Sequence, residues 1–307
     1  MARRLFSSFV RNAEEAAMAE IQTILFASDL TPESDFAFEH ARVLAERFRA
    51  RVTLFHALEM PADRYQGPID DQDDRRGRWA AQVRQELCHR ARVLTVPHEI
   101  VVDEGHVGGH VLADLAVLAM IERTQPDLTV MATRSRKGFG SWFVGSVTNQ
   151  VVQHARRPVL CVRRSRHDGP LPYRRLLVPT DLSPASRRAF PMAALMARAF
   201  EAKVAALHVS PPPPLAARTG APGSGAHAVP TEADVRRFLC PELEAVPVEA
   251  NVYITGSPWY RIVQEAEEER TDLIVMSTQG HDSIRDGIVG SNTDRVLRHA
   301  PCSVLVA

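Results

Sequence analysis

Short apolar runs alternate along the chain with stretches whose apolar residues recur every three or four positions. Residues 24–28 (Ile-Leu-Phe-Ala-Ser), closed by Asp29, are of the first kind and read as a buried strand. Thr31-Pro32-Glu33 is a helix start with proline in the first turn, and Ala37, Ala41, Leu44, Ala45 and Phe48 are the stripe of a helix packed on a sheet. Residues 51–57 form a second strand, so the unit predicts a right-handed parallel crossover. The polar, acidic stretch 61–77 reads as a loop. A helix follows over 78–94, with Trp79, Val83, Leu87 and Ala91 at near four-residue spacing, and then a strand over 98–102. Residues 105–109 turn into a helix through Arg123, which Pro126 ends before a strand at Leu128. A polar loop, a helix from Gly145-Ser146 to His154-Ala155 and a strand over 159–162 complete the half.

The pattern is then repeated. Asp127 matches Asp272, Gly145-Ser146 matches Gly290-Ser291, and His154-Ala155 matches His299-Ala300, all at one constant offset. Leu176-Leu177-Val178-Pro179-Thr180-Asp181 repeats the first strand, and Leu182-Ser183-Pro184 repeats Leu30-Thr31-Pro32. Ala189, Ala193, Met196, Ala197 and Phe200 reproduce the first helical stripe, and residues 204–209 the second strand, with His208 against His56. Beyond a Pro/Gly/Ala-rich insertion at 211–230, read as an extended surface loop, come a helix (235–243), a strand (248–255), a helix (259–270) and strands at 273–276 and 303–306. Glu265, Glu267, Glu268 and Glu269 read as a solvated helix face. The expected fold is α/β: two tandem doubly wound parallel sheets of five strands each, Rossmann-like. The divisions are an arm (1–20), a first domain (21–164), a basic linker (165–174) and a second domain (175–307). In such sheets ligands bind outside the carboxyl ends of the strands, where strand order reverses.

Composition narrows the function. The 307 residues suit two domains, and 45% apolar residues suffice for ordinary cores. Lys+Arg and Asp+Glu both number 37, which offers no electrostatic footprint for nucleic acid. No apolar stretch reaches the ~18–20 residues of a membrane helix, and the N-terminus lacks the features of a secretory signal. The four cysteines show no C-x-x-C spacing. Reduced thiols and a cytoplasmic location are expected.

The strand ending in Pro179-Thr180-Asp181, the strand ending in Leu207-His208-Val209, and the closing G-S-x-x-x-x-V-L-R-H-A-P-C-x-V-L-V resemble the universal stress protein family. The resemblance covers nearly the whole chain twice and points to a tandem-repeat member. It implies an adenine nucleotide site, with ATP, alone or with Mg2+, as the ligand. The nucleotide-binding branch of the family carries G-x-x-G, nine residues, then G-[ST]. Ser277, Gly280, Gly290 and Ser291 occupy these positions in the second half, and Ala132, Ser135, Gly145 and Ser146 in the first. The resemblance places Asp29 and Asp181 against the adenosine, and Ala57 and Val209 where backbone borders the base. The full expected set is Pro179, Thr180, Asp181, Val209, Met276, Ser277, Gly280, Gly290, Ser291, Asn292 and Thr293. A weaker first-half set comprises Ser28, Asp29, Ala57, Ala132, Ser135, Gly145, Ser146 and Thr148.

Glycines in such a loop let backbone approach phosphate, and a Gly-Ser helix start presents N–H groups to an anion. The bland alternative is inheritance of the fold, with Gly-Ser as a helix cap and Asp181 capping a neighbouring turn. In the first half both early glycines are missing and the bland reading holds at least as well, although its basic loop, Arg134-Ser135-Arg136-Lys137-Gly138, offers charge-assisted bonds to phosphate. His106 and His110 are four apart without an evident third metal ligand, and His56 and His208 are expected to hydrogen-bond locally. There is no Walker-type, dinucleotide or G-x-S-x-G motif, and no catalytic residue or metal site is assigned. The expected function is a stress sensor or signalling module that binds ATP, preferably in the second half, and changes a surface offered to an unidentified protein partner. A nucleotide-free protein acting through protein contacts and a slow ATPase remain as alternatives. The halves are expected to pair as an intramolecular pseudo-dimer, with a homodimer of whole chains as a further option.

Overall fold

A computed structural model describes residues 21–59, 72–105, 112–133, 145–164, 171, 173–212, 229–240, 242–278 and 290–307. The first half contains β1 (Thr23–Ala27), α1 (Pro32–Phe48), β2 (Arg51–Ala57), α2 (Gln72–Ala91), β3 (His98–Asp103), α3 (Ala113–Thr124), β4 (Leu128–Ala132), α4 (Ser146–His154) and β5 (Val159–Val162). The second contains β6 (Arg175–Thr180), a 3-10 turn (Ser186–Ala189), α5 (Phe190–Phe200), β7 (Lys203–Ser210), α6 (Glu232–Leu239), β8 (Val248–Ile254), α7 (Pro258–Glu268), β9 (Leu273–Met276), α8 (Ser291–His299) and β10 (Ser303–Val306). Each half is the doubly wound unit that its apolar runs predict.

These strands form one sheet in the order β3-β2-β1-β4-β5-β10-β9-β6-β7-β8. Every pairing is parallel except β5 with β10, where Leu160 faces Leu305 and Cys161 faces Val304. Both faces are covered, which is why the strand sequences are continuously apolar. One face buries Ile24, Phe26, Val130, Leu176 and Val178 under α1, α5 and α6. The other buries Leu25, Met131, Leu177 and Ile274 under α3, α4, α7 and α8. Sequence strands thus meet edge to edge inside one chain, and the free edge of each half is satisfied by the other.

Local rules account for most helix boundaries. Thr31 caps α1 by accepting from the Ser34 N–H at 3.3 Å, with proline behind it. Thr231 and Asp234 form a reciprocal capping box at α6, so that helix begins at Glu232 and ends at Leu239, earlier at both ends than its apolar spacing suggests. Helix α2 begins at Gln72, within the stretch read as loop. Its inward residues Val83, Leu87 and Ala91 are those of the predicted stripe. In the second half the first turn is 3-10 (Ser186–Ala189) before α5 becomes regular.

One prediction fails outright. Glu265 is not on a solvated face: it is 2% exposed and lies inward with Ile262 and Ala266. There it pairs with Arg261 and accepts from Asn251 Nδ2 at 2.9 Å. The spacing of three and four from Ile262 and Arg261 puts it on the buried side, where a paired carboxylate is tolerated. Glu267, Glu268 and Glu269 remain exposed. The segment read as a linker also contributes to the core: Tyr173 is 2% exposed, bonded to His40 Nδ1 at 2.6 Å and edge-on to Phe200.

Candidate functional site

The strand order reverses between β1 and β4 in one half and between β6 and β9 in the other, which is where a doubly wound sheet accepts a ligand. The two reversals differ. The β1–β4 ladder runs through Ile24↔Leu128, Leu25↔Thr129, Phe26↔Val130 and Ala27↔Met131. The β6–β9 ladder stops after Leu176↔Leu273 and Leu177↔Ile274. Pro179 stands where the first half has Ala27. Ser28 N–H points to Phe55 O on β2, so the N–H of the preceding residue points to β4. At the matched position Pro179 has no such N–H to give β9. The second half therefore lacks that ladder bond at the carboxyl ends of β6 and β9, beside Asp181 and Ser277.

A helix start closes each crevice in the same way. Thr148 Oγ1 donates to Ala132 O at 3.0 Å, and Thr293 Oγ1 donates to Ser277 O at 3.0 Å. Both threonines are buried, so they anchor the helix to the strand end, whereas Ser146 and Ser291 are exposed. Gly145 (φ −56°) and Gly290 (φ −58°) precede α4 and α8, and among the described residues no side chain caps either helix. The first intrahelical bonds come from Asn149 to Gly145 O and from Asp294 to Gly290 O. The N–H groups of the first turn are thus directed to the crevice, with the positive end of the helix dipole behind them. Asp294 does not oppose an anion there as a bare charge, because Arg298 binds both its oxygens at 2.9 Å. Gly290 N–H also donates to Thr278 O at 2.7 Å, tying the start of α8 to the residue two beyond β9.

The aspartates sit in tight turns. Leu30 and Leu182 follow them at φ 59° and 61°, a left-handed conformation that costs a leucine roughly 1–2 kcal/mol. Each is held by a bond from its N–H to the hydroxyl two residues back, Ser28 Oγ at 3.1 Å and Thr180 Oγ1 at 3.0 Å. Asp29 Oδ1 accepts from Thr31 Oγ1 at 2.5 Å, Ser34 Oγ at 2.6 Å and Thr31 N–H at 3.1 Å. Asp181 Oδ1 accepts from Ser183 N–H at 3.0 Å, while Ser186, the match of Ser34, turns to Thr180 Oγ1 and Ser183 O. Ser34 and Ser186 were not singled out from sequence. Their equal places in the two repeats are the signal that finds them.

Behind each turn a histidine fastens the strand ends. His56 Nδ1 lies 2.8 Å from Ser28 O, and His208 Nδ1 lies 2.9 Å from Thr180 O. A carbonyl only accepts, so Nδ1 carries the proton in both rings. Burial lowers the pKa of His56 against the opposing pull of the Ser28 carbonyl. His208 Nε2 is then the acceptor for Ser210 Oγ at 2.9 Å. These histidines are structural. Ala57 and Val209 end up beside them at the strand ends, Met276 is buried at the end of β9, and Asn292 lies in the first turn of α8. Ser135, Gly280, the Arg134–Gly138 stretch, His106 and His110, the arm 1–20 and most of 211–230 lie outside the described residues.

A model of the universal stress protein family matches residues 20–163 and 172–307. The chain belongs to the universal stress protein family, with one copy of the domain in each half. A universal stress protein of Methanocaldococcus jannaschii is 31% identical over 141 residues, spanning 44% of this chain and 81% of that protein. Universal stress protein A homolog 1 of Coxiella burnetii is 29% identical over 144 residues, spanning 43% of this chain and 94% of its own. A solved universal stress protein of Archaeoglobus fulgidus shares the fold at a TM-score of 0.63 and 19% identity, with 93% of this chain and 97% of that one covered.

Proposed function

We propose that this protein binds adenine nucleotide, ATP in preference, in the crevice of its second half, and that occupancy of that site is the stress signal read by a protein partner. The observation that carries the reading is the shortened β6–β9 ladder, with Pro179 beyond its last pair, next to the start of α8 that Thr293 anchors to Ser277 O. An anion placed there meets the first-turn N–H groups and the Ser291 hydroxyl, and Asp181 lies across the crevice as an acceptor for ribose or adenine donors. The first half is the weaker site, because Ala132 and Ser135 stand where the second half has Ser277 and Gly280. Mg2+, where present, would accompany the phosphates.

The test is the nucleotide content of the purified protein after acid extraction, followed by ATP titration calorimetry of the parent and Gly290→Asp. Gly290 has a negative φ that any residue adopts, and aspartate is a good N-cap, so the variant keeps its helix while placing a carboxylate against the phosphates. ATP affinity falls at least about tenfold. Unchanged affinity would sink the reading. Phosphate release that scales with protein and disappears in Asp181→Ala would shift the assignment to a slow ATPase.

A further inference from the structure

Arg163 follows the last strand of the first half, yet its side chain is spent on the second. It is 4% exposed. Its Nη1 donates to Ala300 O at 2.5 Å and its Nη2 to Leu297 O at 2.6 Å. These carbonyls belong to the final turn of α8 and the residue that ends it. The backbone N–H of Arg163 donates to Ser303 Oγ at 3.2 Å, at the start of β10. On the other side, Nε lies 3.5 Å from Thr133 Oγ1, and Thr133 is itself fixed to Val162 O through its N–H at 2.9 Å and its hydroxyl at 3.1 Å. Thr133 comes directly after Ala132, where the first half's candidate loop leaves β4. Helix α8 is nine residues long, about 13 Å. One end therefore faces the second crevice, and the other is held by a cation seated at the base of the first.

We propose that Arg163 is a positioning residue for the nucleotide site of the second half, holding α8 along its axis so that its first-turn N–H groups meet the phosphates. This rests on the nucleotide reading above. A cation on the last carbonyls of a helix and an anion at its first N–H groups interact with the same dipole. Because the guanidinium is a rigid two-pronged donor, it fixes both the height and the rotation of the helix end. Through Thr133, the same side chain gives the first half a hold on the second half's site.

A purely structural clamp would weaken every ligand alike, whereas a helix that sets the phosphate contacts discriminates by phosphate. ATP and adenosine are titrated separately by calorimetry into chains carrying Gly145→Asp, which confines binding to the second half. With Arg163 intact, ATP binds more tightly than adenosine. Arg163→Gln lowers the ATP-to-adenosine affinity ratio about tenfold, the scale of a partly buried cation at a helix terminus, and leaves adenosine affinity within about twofold. Arg163→Lys, with its charge but a single-point donor, lowers the ratio about threefold, and it decides the matter if the Gln chain does not fold. An unchanged ratio, or equal losses for ATP and adenosine, overturns the proposal. If the chain with Arg163 intact binds neither ligand, the nucleotide reading falls and this inference falls with it.

Discussion

At the scale of single residues, the left-handed positions are repeated between the halves. Leu30 and Leu182, Arg49 and Glu201, and Gln125 and Arg270 form matched pairs, with φ from 46° to 61°. The fold demands these turns whatever side chain occupies them, and local bonds offset the strain. Burial governs the titrating groups. Cys161 and Cys302 are pushed up to about 12 by burial against the opposing effect of Arg163, so neither is a reactive thiolate. His40 is lowered from 6.5 to about 4 by burial. The unfolded chain takes up a proton there below about pH 6.5, and the folded chain does not until about pH 4. The contribution of neutral His40 is therefore complete above this window and is lost as pH falls through it. Between about pH 7 and pH 5 this group removes about 2 kcal/mol of folding stability. Urea unfolding at both pH values should give a smaller difference for His40→Gln by about that amount, and an equal difference would remove His40 from the account.

At the scale of elements, one proline separates two otherwise equal strands. Pro179 leaves β9 without a donor, while Ala27 supplies one to β4. In Pro179→Ala the recovered bond and the looser unfolded chain roughly cancel, so stability changes by less than about 1 kcal/mol. The β6–β9 ladder should lengthen to match β1–β4, and ATP affinity should fall roughly threefold or more as the free carbonyl on β9 is taken up by the new N–H. Calorimetry of this variant checks the claim, and undiminished affinity would show that the shortened ladder plays no part in binding. Helix α7 teaches the opposite lesson about charge runs. Of the four glutamates clustered in it and at its C-cap, three are exposed, but Glu265 is buried against Arg261 and Asn251, with Arg261 stacked 4.0 Å over the Tyr253 ring.

At the scale of the molecule, the antiparallel contact of β5 and β10 makes the two sheets one. Leu305, fully buried and opposite Leu160, lies at that seam. A carboxylate there is both desolvated and unpaired. Leu305→Asp should destabilise the whole chain by more than about 4 kcal/mol, with far-UV dichroism and tryptophan fluorescence losing their signals together. If one half kept its own transition at the parent's midpoint, the seam would not be a shared core. Among the described residues no helix is long and apolar enough to cross a membrane.

Much of this was legible in the sequence because it depends on neighbours along the chain. Apolar runs, helical stripes, Pro32 behind Thr31 and the matched Gly145-Ser146 and Gly290-Ser291 pairs determine the elements, their order and the family. Those same local rules place the candidate site at the helix starts. They do not say that Thr148 and Thr293 anchor rather than face the ligand, that Asp29 is drawn into its own turn, or that Glu265 is buried. Nor do they mark Pro179 as the point where the β6–β9 ladder lacks a bond, since that requires knowing which side of β6 its missing N–H would face. The largest tertiary decisions concern residues far apart in sequence: Tyr173 against His40, Leu160 against Leu305, and Arg163 on the carbonyls of Leu297 and Ala300. Their energies come from desolvation and from carbonyls that pair only when the sheet is assembled, and no spacing along the chain encodes that.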